Sequence, residues 1–371
     1  MEKTDLEQAL SELRGRIGQE YPMRGWNQEA SRDAFWHFAQ GMGDDNPLWG
    51  DEDYSRTTRW QGVIAPPTFL YTFSSYSGAM VATGLPGVQA LWAEDDWHFQ
   101  DVVRAGDRIG AAFAVAEVVE REGGWGNIHQ YEETIYRRPA GGEVARVRRL
   151  WIRGERQRVK EKGKYQPRAK HRYTPEELEA LVREYQKEER RGATPRYWEE
   201  VAVGHSLGQV IKGPLTVTEM MTWLAGSGAP FFRASAVAHA YREKHPKAFI
   251  PDPETGVPDF LMRWHWDEAF AQALGVGGGF DFGNQRISWF AHLLTNWMGD
   301  DGFLKRLRVQ LRRPHYLADT LWIKGQVTEK HREGDQLLVD CLLSGENQRG
   351  ETVSTAWATV VLPQAHESGQ P

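Results

Sequence analysis

Asp44, Asp259 and His265 are the side chains of this sequence whose types and positions could move protons. Asp44 lies in the segment Gly43-Asp44-Asp45-Asn46-Pro47-Leu48-Trp49, and Asp259 precedes His265 by six residues. A carboxyl group and an imidazole can each hold or release a proton near neutral pH once they are partly buried. These residues therefore indicate acid–base chemistry, although Asp44 could equally brace a loop and Gly256-Val257-Pro258-Asp259 could be a plain turn.

The segment around Asp44, followed by Gly62-Val63-Ile64-Ala65-Pro66-Pro67, resembles the hydratase motif of the MaoC-like dehydratases, roughly G-D-x-N-P-L-H and then I-A-x-G or A-P-P. That family has the hot-dog fold and adds or removes water across the α,β-bond of an acyl thioester. Where the motif has its catalytic His, this chain has Trp49, which cannot take up a proton. The resemblance implies Asp44 as a catalytic candidate and Asn46 and Trp49 as substrate-binding candidates.

The second half of the chain has no readable G-D-x-N-P stretch, but it contains a later part of the motif. His265-Trp266-Asp267, with Ala271 and Gly275 behind it and Phe282-Gly283 further on, resembles H-x-D-(…)-A-(…)-G followed by H-G. This register places His265 at the motif His. It places Gly283 at the start of the central helix, where a backbone amide could face the thioester carbonyl. Asp259 would be the acid partner, at a spacing of six residues where the family has five.

His265 and two further substrate-site candidates, Asp281 and Arg286, also have a purely structural interpretation. His265 stands between two tryptophans and could be a packed core residue. Asp281 and Arg286 lie at the mouth of the second central helix, where they could contact the substrate or form a local ion pair. The resemblance implies that one half keeps the catalytic residues, and His265 favours the second half.

An internal repeat predicts the architecture. Residues 99–153 resemble residues 311–362, and each copy reads as a turn followed by long strand-like runs rich in Val, Ile, Leu and Trp. A helix is predicted ahead of each copy, at Pro67–Ala82 and at Asn284–Gly299. This order predicts an α+β fold duplicated within one chain. The resemblance identifies it as a double hot-dog, in which two antiparallel sheets each wrap a central helix and are fused as a pseudo-dimer.

Shorter helices are predicted outside the repeated units. The segments SRDAFWHFAQGMGD and TVTEMMTWLAGSG are amphipathic and end in glycine, with Ser31 and either Thr216 or Thr218 as N-caps. A charged helix follows Thr174 and is expected to end near Gly192.

A basic run at residues 154–172 marks the boundary between the halves. We predict an N-terminal hot-dog domain at 1–153, a basic linker and helix at 154–192, and a C-terminal hot-dog domain at 193–371. The basic run could meet the phosphates of coenzyme A or be a solvated linker. The aromatic-rich segment 229–260 has no counterpart of comparable length in the first half and could be a lid over the pocket.

The bulk composition limits the classes of function. The chain has 371 residues, 45 Lys and Arg against 51 Asp and Glu, and one cysteine, Cys341, expected to be buried. The net charge of −6 argues against nucleic-acid binding.

The sequence has no apolar stretch of the roughly 20 residues that a membrane span needs. Its N-terminus lacks the apolar core of a signal peptide. We therefore expect a cytoplasmic protein with no membrane association. The histidines are scattered, which argues against a metal site.

The resemblance implies a hydratase or dehydratase, a carbon–oxygen lyase that interconverts a 3-hydroxyacyl thioester and an enoyl thioester by Asp/His acid–base catalysis. No cofactor is expected, because coenzyme A or a carrier protein would belong to the substrate. Two alternatives stay open. One is a non-catalytic or partner-dependent acyl-thioester-binding subunit, and the other is a hot-dog enzyme repurposed for secondary metabolism, such as a cyclase or thioesterase. A homodimer or a hot-dog partner chain is possible.

Overall fold

The strands of the first half form a long antiparallel array. The computed structural model describes residues 5–74, 88–121, 128–155, 167–229 and 232–365. Within them, the first half contains β1 (Glu20–Met23), β2 (Val88–Phe99), β3 (Gly110–Glu120), β4 (Ile128–Arg137) and β5 (Glu143–Glu155). Burial alternates along β4, as expected for a strand with one face on a core and the other toward solvent.

The second half repeats this array and adds a small hairpin. Its strands are β6 (Ser206–Lys212), β7 (Phe249–Pro251), β8 (Pro258–Phe260), β9 (Phe303–Leu311), β10 (Leu321–Glu333), β11 (Gln336–Asn347) and β12 (Thr352–Val361). Only β7 and β8 pair apart from the rest; the other ten described strands form one sheet, in the order β1-β3-β4-β5-β2-β9-β12-β11-β10-β6. The prediction of two sheets is therefore refined, because β2 joins β9 and makes the two arrays continuous.

The β2–β9 junction is stabilised across its outer face by ion pairs. Trp97 lies opposite Leu307 in the register, and both are buried. On the other face, Arg306 donates to the Asp96 carboxylate at 2.8 and 2.6 Å. Core packing on one side and paired charges on the other fix the register, because a slip by one residue would exchange the two faces.

Eight α-helices lie within the described residues. They are α1 (Asp5–Arg14), α2 (Arg32–Met42), α3 (Glu52–Arg56), α4 (Pro175–Tyr185), α5 (Val217–Ser227), α6 (Ser235–Lys244), α7 (Glu268–Ala273) and α8 (Gly283–Met298). Helix α8 is the second central helix and begins one residue earlier than predicted. All fifteen residues from Asn284 to Met298 are buried, so this helix is enclosed on every side. In the first half, Pro67–Phe73 forms a 3-10 helix, and the remainder of the predicted Pro67–Ala82 helix after residue 74 lies outside the described residues.

The predicted helix caps are present. The Ser31 side chain accepts from the Ala34 amide at the start of α2, and Thr216, rather than Thr218, forms a capping box with Glu219 at the start of α5. Thr174 caps α4 in the same way. That helix ends at Tyr185 and not near Gly192, because the following chain turns back to contact the motif loop.

Helices α2 and α5 pack closely against each other and join the two halves on the helical side. A Cβ added at Gly226 of α5 would lie 2.2 Å from the His37 carbonyl oxygen of α2, and one added at Gly41 of α2 would lie 3.0 Å from the Thr222 carbonyl oxygen of α5. Each glycine therefore permits a backbone approach that a side chain would block.

Gly226→Ala should lower the free energy of unfolding by about 1–3 kcal/mol, because the new methyl group overpacks against a main-chain oxygen that cannot rotate away. The better helix propensity of Ala offsets at most about 1 kcal/mol of this cost. Urea denaturation checks the value. Gly62→Ala is the control, since its Cβ would meet open space, and an equal loss in both variants would contradict the close packing.

Candidate active site

Asp44 stands at the centre of a hydrogen-bonded loop directly after α2. The helix ends at Gly43, which has the left-handed φ of 72°. The Asp44 carboxylate then accepts from the Asn46 backbone amide at 2.9 Å and from the Trp49 indole Nε1–H at 2.9 Å. Asp44 is 2% exposed. The indole thus occupies the place of the motif histidine and donates to the same carboxylate, but it holds its proton permanently.

Two basic side chains from the second half lie close to this loop. His292 of α8 has its Nε2 3.7 Å from Asp44 Oδ1. Lys212 of β6 places its Nζ 2.7 Å from His292 Nδ1 and 3.0 Å from the Met42 carbonyl oxygen at the end of α2. All three titratable groups are buried. The first-half motif is therefore completed by residues that are far away in sequence.

Burial dominates the titration of this cluster. It raises the pKa of Asp44 from 3.8 to about 6, and the hydrogen bonds from Asn46 and Trp49 and the charge on Lys212 offset only part of that effect. Burial lowers the pKa of Lys212. Burial and the neighbouring Lys212 charge hold the pKa of His292 well below its usual value. Asp44 is thus a carboxyl group that can exchange a proton near neutral pH.

Asn46 connects this loop to a second carboxylate. Its side-chain Nδ2 donates to Asp300 Oδ1 at 2.9 Å, and its Oδ1 accepts from the Leu48 amide at 3.0 Å. The Tyr54 hydroxyl donates to the other Asp300 oxygen at 2.6 Å. Asp300 follows α8 directly and is 4% exposed. Both of its carboxylate oxygens therefore accept from first-half donors.

A cleft opens beside these residues, and the empty space in and around it, open solvent included, is about 550 Å³. It lies between the two motif segments of the first half and the C-terminal end of α8. Its walls are mainly apolar, and polar side chains are contributed by Asn46, Asp101, Thr295 and Asp300. The apolar and aromatic lining includes Leu48, Trp49, Trp60, Ile64, Leu70, Phe99, Val102, Met298 and Phe303. Asp44 does not line the cleft, whereas Trp49, which donates to Asp44, does.

The structure does not bring Asp259 and His265 together. Asp259 lies in β8, where it pairs with Ile250 in the hairpin, and its half-exposed carboxylate is 4.0 Å from Arg263. His265 is buried, with Nδ1 2.8 Å from the Phe280 carbonyl oxygen and its ring stacked at 4.1 Å on Phe282. Burial lowers the pKa of His265 to about 4. His265 therefore has the geometry of a packed core histidine.

The start of α8 also differs from the predicted substrate site. A Cβ at Gly283 would lie 3.0 Å from Trp92 Cβ and Cγ, so the close approach that needs a glycine is made by Trp92 of β2. Trp92 is held by a 2.7 Å hydrogen bond to Asp95. Arg286 donates to both oxygens of Asp281, and both residues are buried. Asp281 and Arg286 thus form the local ion pair.

The described part of the segment 229–260 does not cover the cleft. Phe232 packs edge-on against Phe260 and Trp266, with ring centroids 5.9 Å apart in both pairs. The segment therefore lies beside the His265 region, and none of its residues is among those lining the cleft. The predicted lid is thus wrong for this cleft.

Comparison with known proteins agrees with this architecture. Residues 16–146 match the model of the family described as "FAS1-like, dehydratase domain region". A solved structure described as a MaoC-like dehydratase superposes with a TM-score of 0.66 at 16% identity, covering 95% of this chain and 100% of that chain. A Mycobacterium tuberculosis protein described as having a double hotdog fold gives 0.55 at 12% identity, covering 93% and 96%. This chain has the MaoC-like double hot-dog fold. The resemblance to MaoC-like dehydratases and the fold class, both predicted from the sequence, are confirmed.

Relatives identified by sequence match part of this double hot-dog chain. A UPF0336 protein of Streptomyces avermitilis is 29% identical over 97 residues, which are 25% of this chain and 64% of that protein. A UPF0336 protein of Saccharopolyspora erythraea is 27% identical over 111 residues, which are 29% of this chain and 70% of that protein. The dehydratase family model, which matches residues 16–146, falls on the half that contains Asp44. The second half has to be interpreted from structure.

Neither a membrane helix nor a metal cluster is found in the parts of this double hot-dog chain that the structure describes. No helix there is long and apolar enough to cross a bilayer. No group of three or more His, Cys, Asp or Glu side chains could hold a metal ion in the same residues. The basic run lies largely outside the described residues; of its described members, Arg168 pairs with Glu351 at 2.6 Å and Lys170 lies 3.5 Å from Glu268.

Sequence reasoning did not find Lys212, His292 or Asp300. Each contacts the motif loop of the double hot-dog fold from the second half, more than 160 residues away in sequence. Two local signals were present: His292 is an ionisable residue in the middle of an otherwise enclosed helix, and Asp300 follows the last turn of that helix. Neither signal specifies a partner.

The raised pKa of Asp44 predicts a pH-dependent stability. Because the folded state binds this proton more tightly than the unfolded chain does, stability falls as pH rises from about 4 to about 6. The pKa difference, from 3.8 to about 6, corresponds to at most about 3 kcal/mol. Wild type should lose up to this amount relative to Asp44→Asn across that window, measured by urea denaturation at a series of pH values. Asp45 has a side chain that is 87% exposed, so Asp45→Asn should lose as much unfolding free energy as wild type over this pH range. An equal loss in Asp44→Asn would contradict the raised pKa.

The Asp281–Arg286 pair predicts a second stability effect. Arg286→Met leaves a buried carboxylate without its partner and should cost about 3–5 kcal/mol of unfolding free energy. Arg56→Met, in a pair whose side chains are 60% and 48% exposed, should cost less than about 1 kcal/mol. Urea denaturation of both variants measures these losses of unfolding free energy. A small loss in Arg286→Met would return Arg286 to the list of substrate-site candidates.

Proposed function

We propose that this chain is a hydro-lyase that adds or removes water across the α,β-bond of an acyl thioester bound in the cleft. The observation that carries the proposal is the position of the cleft. Both motif segments of the first half, 43–49 and 62–67, contribute to its wall, and this is the half that matches a dehydratase domain model. The thioester would be one of coenzyme A or of a carrier protein.

The cleft has the properties that an acyl chain and a thioester require. Its walls are mainly apolar, which suits an acyl group. Its polar groups converge around Asn46, whose side chain contacts Asp300 at 2.9 Å. Hydration needs a group that takes a proton from water and a proton for the α-carbon. The groups that could supply these functions gather at this cleft and not around His265, which has no carboxylate contact among the described residues.

Binding without turnover is the second candidate function. Trp49 donates to Asp44 and lines the cleft, whereas Asp44 does not line it. A chain with this arrangement could bind an acyl thioester and leave the chemistry to another subunit.

A single assay separates the two. The purified chain is incubated with a panel of enoyl and 3-hydroxyacyl thioesters, and mass spectrometry follows gain or loss of one water while calorimetry measures binding. Turnover supports the hydro-lyase, binding without turnover supports the second candidate, and neither result on any thioester contradicts both.

Val102→Trp tests whether the cleft is the binding site. Val102 lies on the cleft wall, and an indole there would fill volume that the acyl group needs. The thioester Kd should rise at least tenfold, which is about 1.4 kcal/mol. Val203→Trp is the matched control, since Val203 is 65% exposed and lies outside the cleft lining. If His265→Ala abolishes turnover and Val102→Trp does not change it, the reaction takes place in the second half instead.

A further inference from the structure

We propose that Asp300, held by Asn46 and Tyr54, is the carboxylate that moves the proton in the cleft. This inference rests on the proposed hydro-lyase function and assigns its acid–base group. The residue comes from the second half, whereas the motif that predicts the activity is in the first half.

The main chain of Asp300 is fixed on both sides. Its amide donates to the Gly192 carbonyl oxygen at 2.9 Å, and its carbonyl oxygen accepts from Trp60 Nε1 at 2.7 Å. Gly299, with a φ of 72°, makes the turn that ends α8 and directs the chain toward the cleft. Asp300 is thus positioned by both halves, as a proton-transfer group must be.

The two donors leave the carboxylate with room to react. Asn46 Nδ2 donates to one oxygen at 2.9 Å, and the Tyr54 hydroxyl donates to the other at 2.6 Å. Burial, together with Asp300 itself, raises the pKa of Tyr54 to about 12, so the hydroxyl keeps its proton and remains a donor. Each carboxylate oxygen has two lone-pair positions, so one on each stays available for a water molecule or a substrate proton.

Asp44 is less suited to this role in the same cleft. Its oxygens already accept from the Asn46 amide and the Trp49 indole, and it does not line the cleft. Asp44 is instead a positioning residue. It holds the Asn46 backbone while the Asn46 side chain holds Asp300, so the two carboxylates are linked through one asparagine.

The proposed step balances without a cofactor. In hydration, Asp300 takes a proton from water as the water oxygen bonds to the β-carbon, and the π electrons of the double bond move toward the thioester carbonyl. The protonated carboxyl group then returns that proton to the α-carbon. Dehydration is the reverse sequence, and Asp300 ends each cycle as it began.

The test uses the full chain and the thioester that wild type turns over best. Asp300→Asn keeps the side-chain volume and one acceptor oxygen, so the Kd should stay within about threefold, while kcat should fall by about 10²–10⁴-fold as expected for loss of an acid–base group. Asp301→Asn is the matched control: it is the adjacent acid of the same turn and does not line the cleft.

A second measurement distinguishes chemistry from positioning. Asp300→Ala leaves space for a small carboxylate, and added formate should restore part of its turnover, whereas formate should not restore turnover to Asp44→Ala. Turnover in Asp300→Asn within about threefold of wild type, or no formate rescue of Asp300→Ala, overturns the assignment and leaves the hydro-lyase function standing. Absence of turnover by wild type on the whole panel overturns both together.

Discussion

The pairing of β2 with β9 decides how the two halves of the chain face each other. Because β2 and β9 join the two arrays into one sheet, the halves lie side by side, and α2 of the first half packs against α5 of the second. The C-terminal end of α8 then comes against the loop that follows α2. The contact between Asn46 and Asp300, 2.9 Å long between residues 254 positions apart, follows from that pairing. Nothing in the local sequence of either residue requires it.

The loop around Asp44 shows how a motif can keep its structure after losing its histidine. A buried carboxylate must accept hydrogen bonds to remain buried. Trp49 supplies one N–H at 2.9 Å, which satisfies the carboxylate as an imidazole N–H would. Trp49 therefore preserves the loop and the position of Asn46 but cannot exchange a proton as the motif histidine would. His292 lies 3.7 Å from the same carboxylate, and Lys212 contacts His292, so basic side chains from the second half stand beside a motif loop that has no histidine at position 49.

Elements whose signals are local could be predicted from the sequence. The bounds of α8 were found to within one residue, and the caps at Ser31, Thr216 and Thr174 were found because each cap bonds only three residues ahead. The repeat predicted the α+β duplication. The continuity of the sheet was not predicted, because it depends on strand pairing between the halves. The C-terminal end of α4 was not predicted either.

The same limit explains the errors in the site. Spacing alone placed Asp259 near His265, but the β7–β8 hairpin directs Asp259 toward Arg263. Spacing alone also could not find Asp300, because its two donors, Asn46 and Tyr54, belong to the other half. A catalytic motif read along one chain segment therefore identifies a location more reliably than it identifies the residues that act there.

The two halves differ in how they use the space at the start of their central helices. In the second half, Trp92 approaches Gly283 as closely as a glycine permits, and a buried ion pair and a stacked histidine fill the surroundings. In the first half, the corresponding segment at Pro66 and Pro67 borders an open cleft. Filling one site with aromatic and charged side chains stabilises the junction of the halves, and the other site can then remain open without loss of the fold. This asymmetry favours the first half as the place where substrate binds, even though His265, which resembles the motif histidine in the sequence, lies in the second.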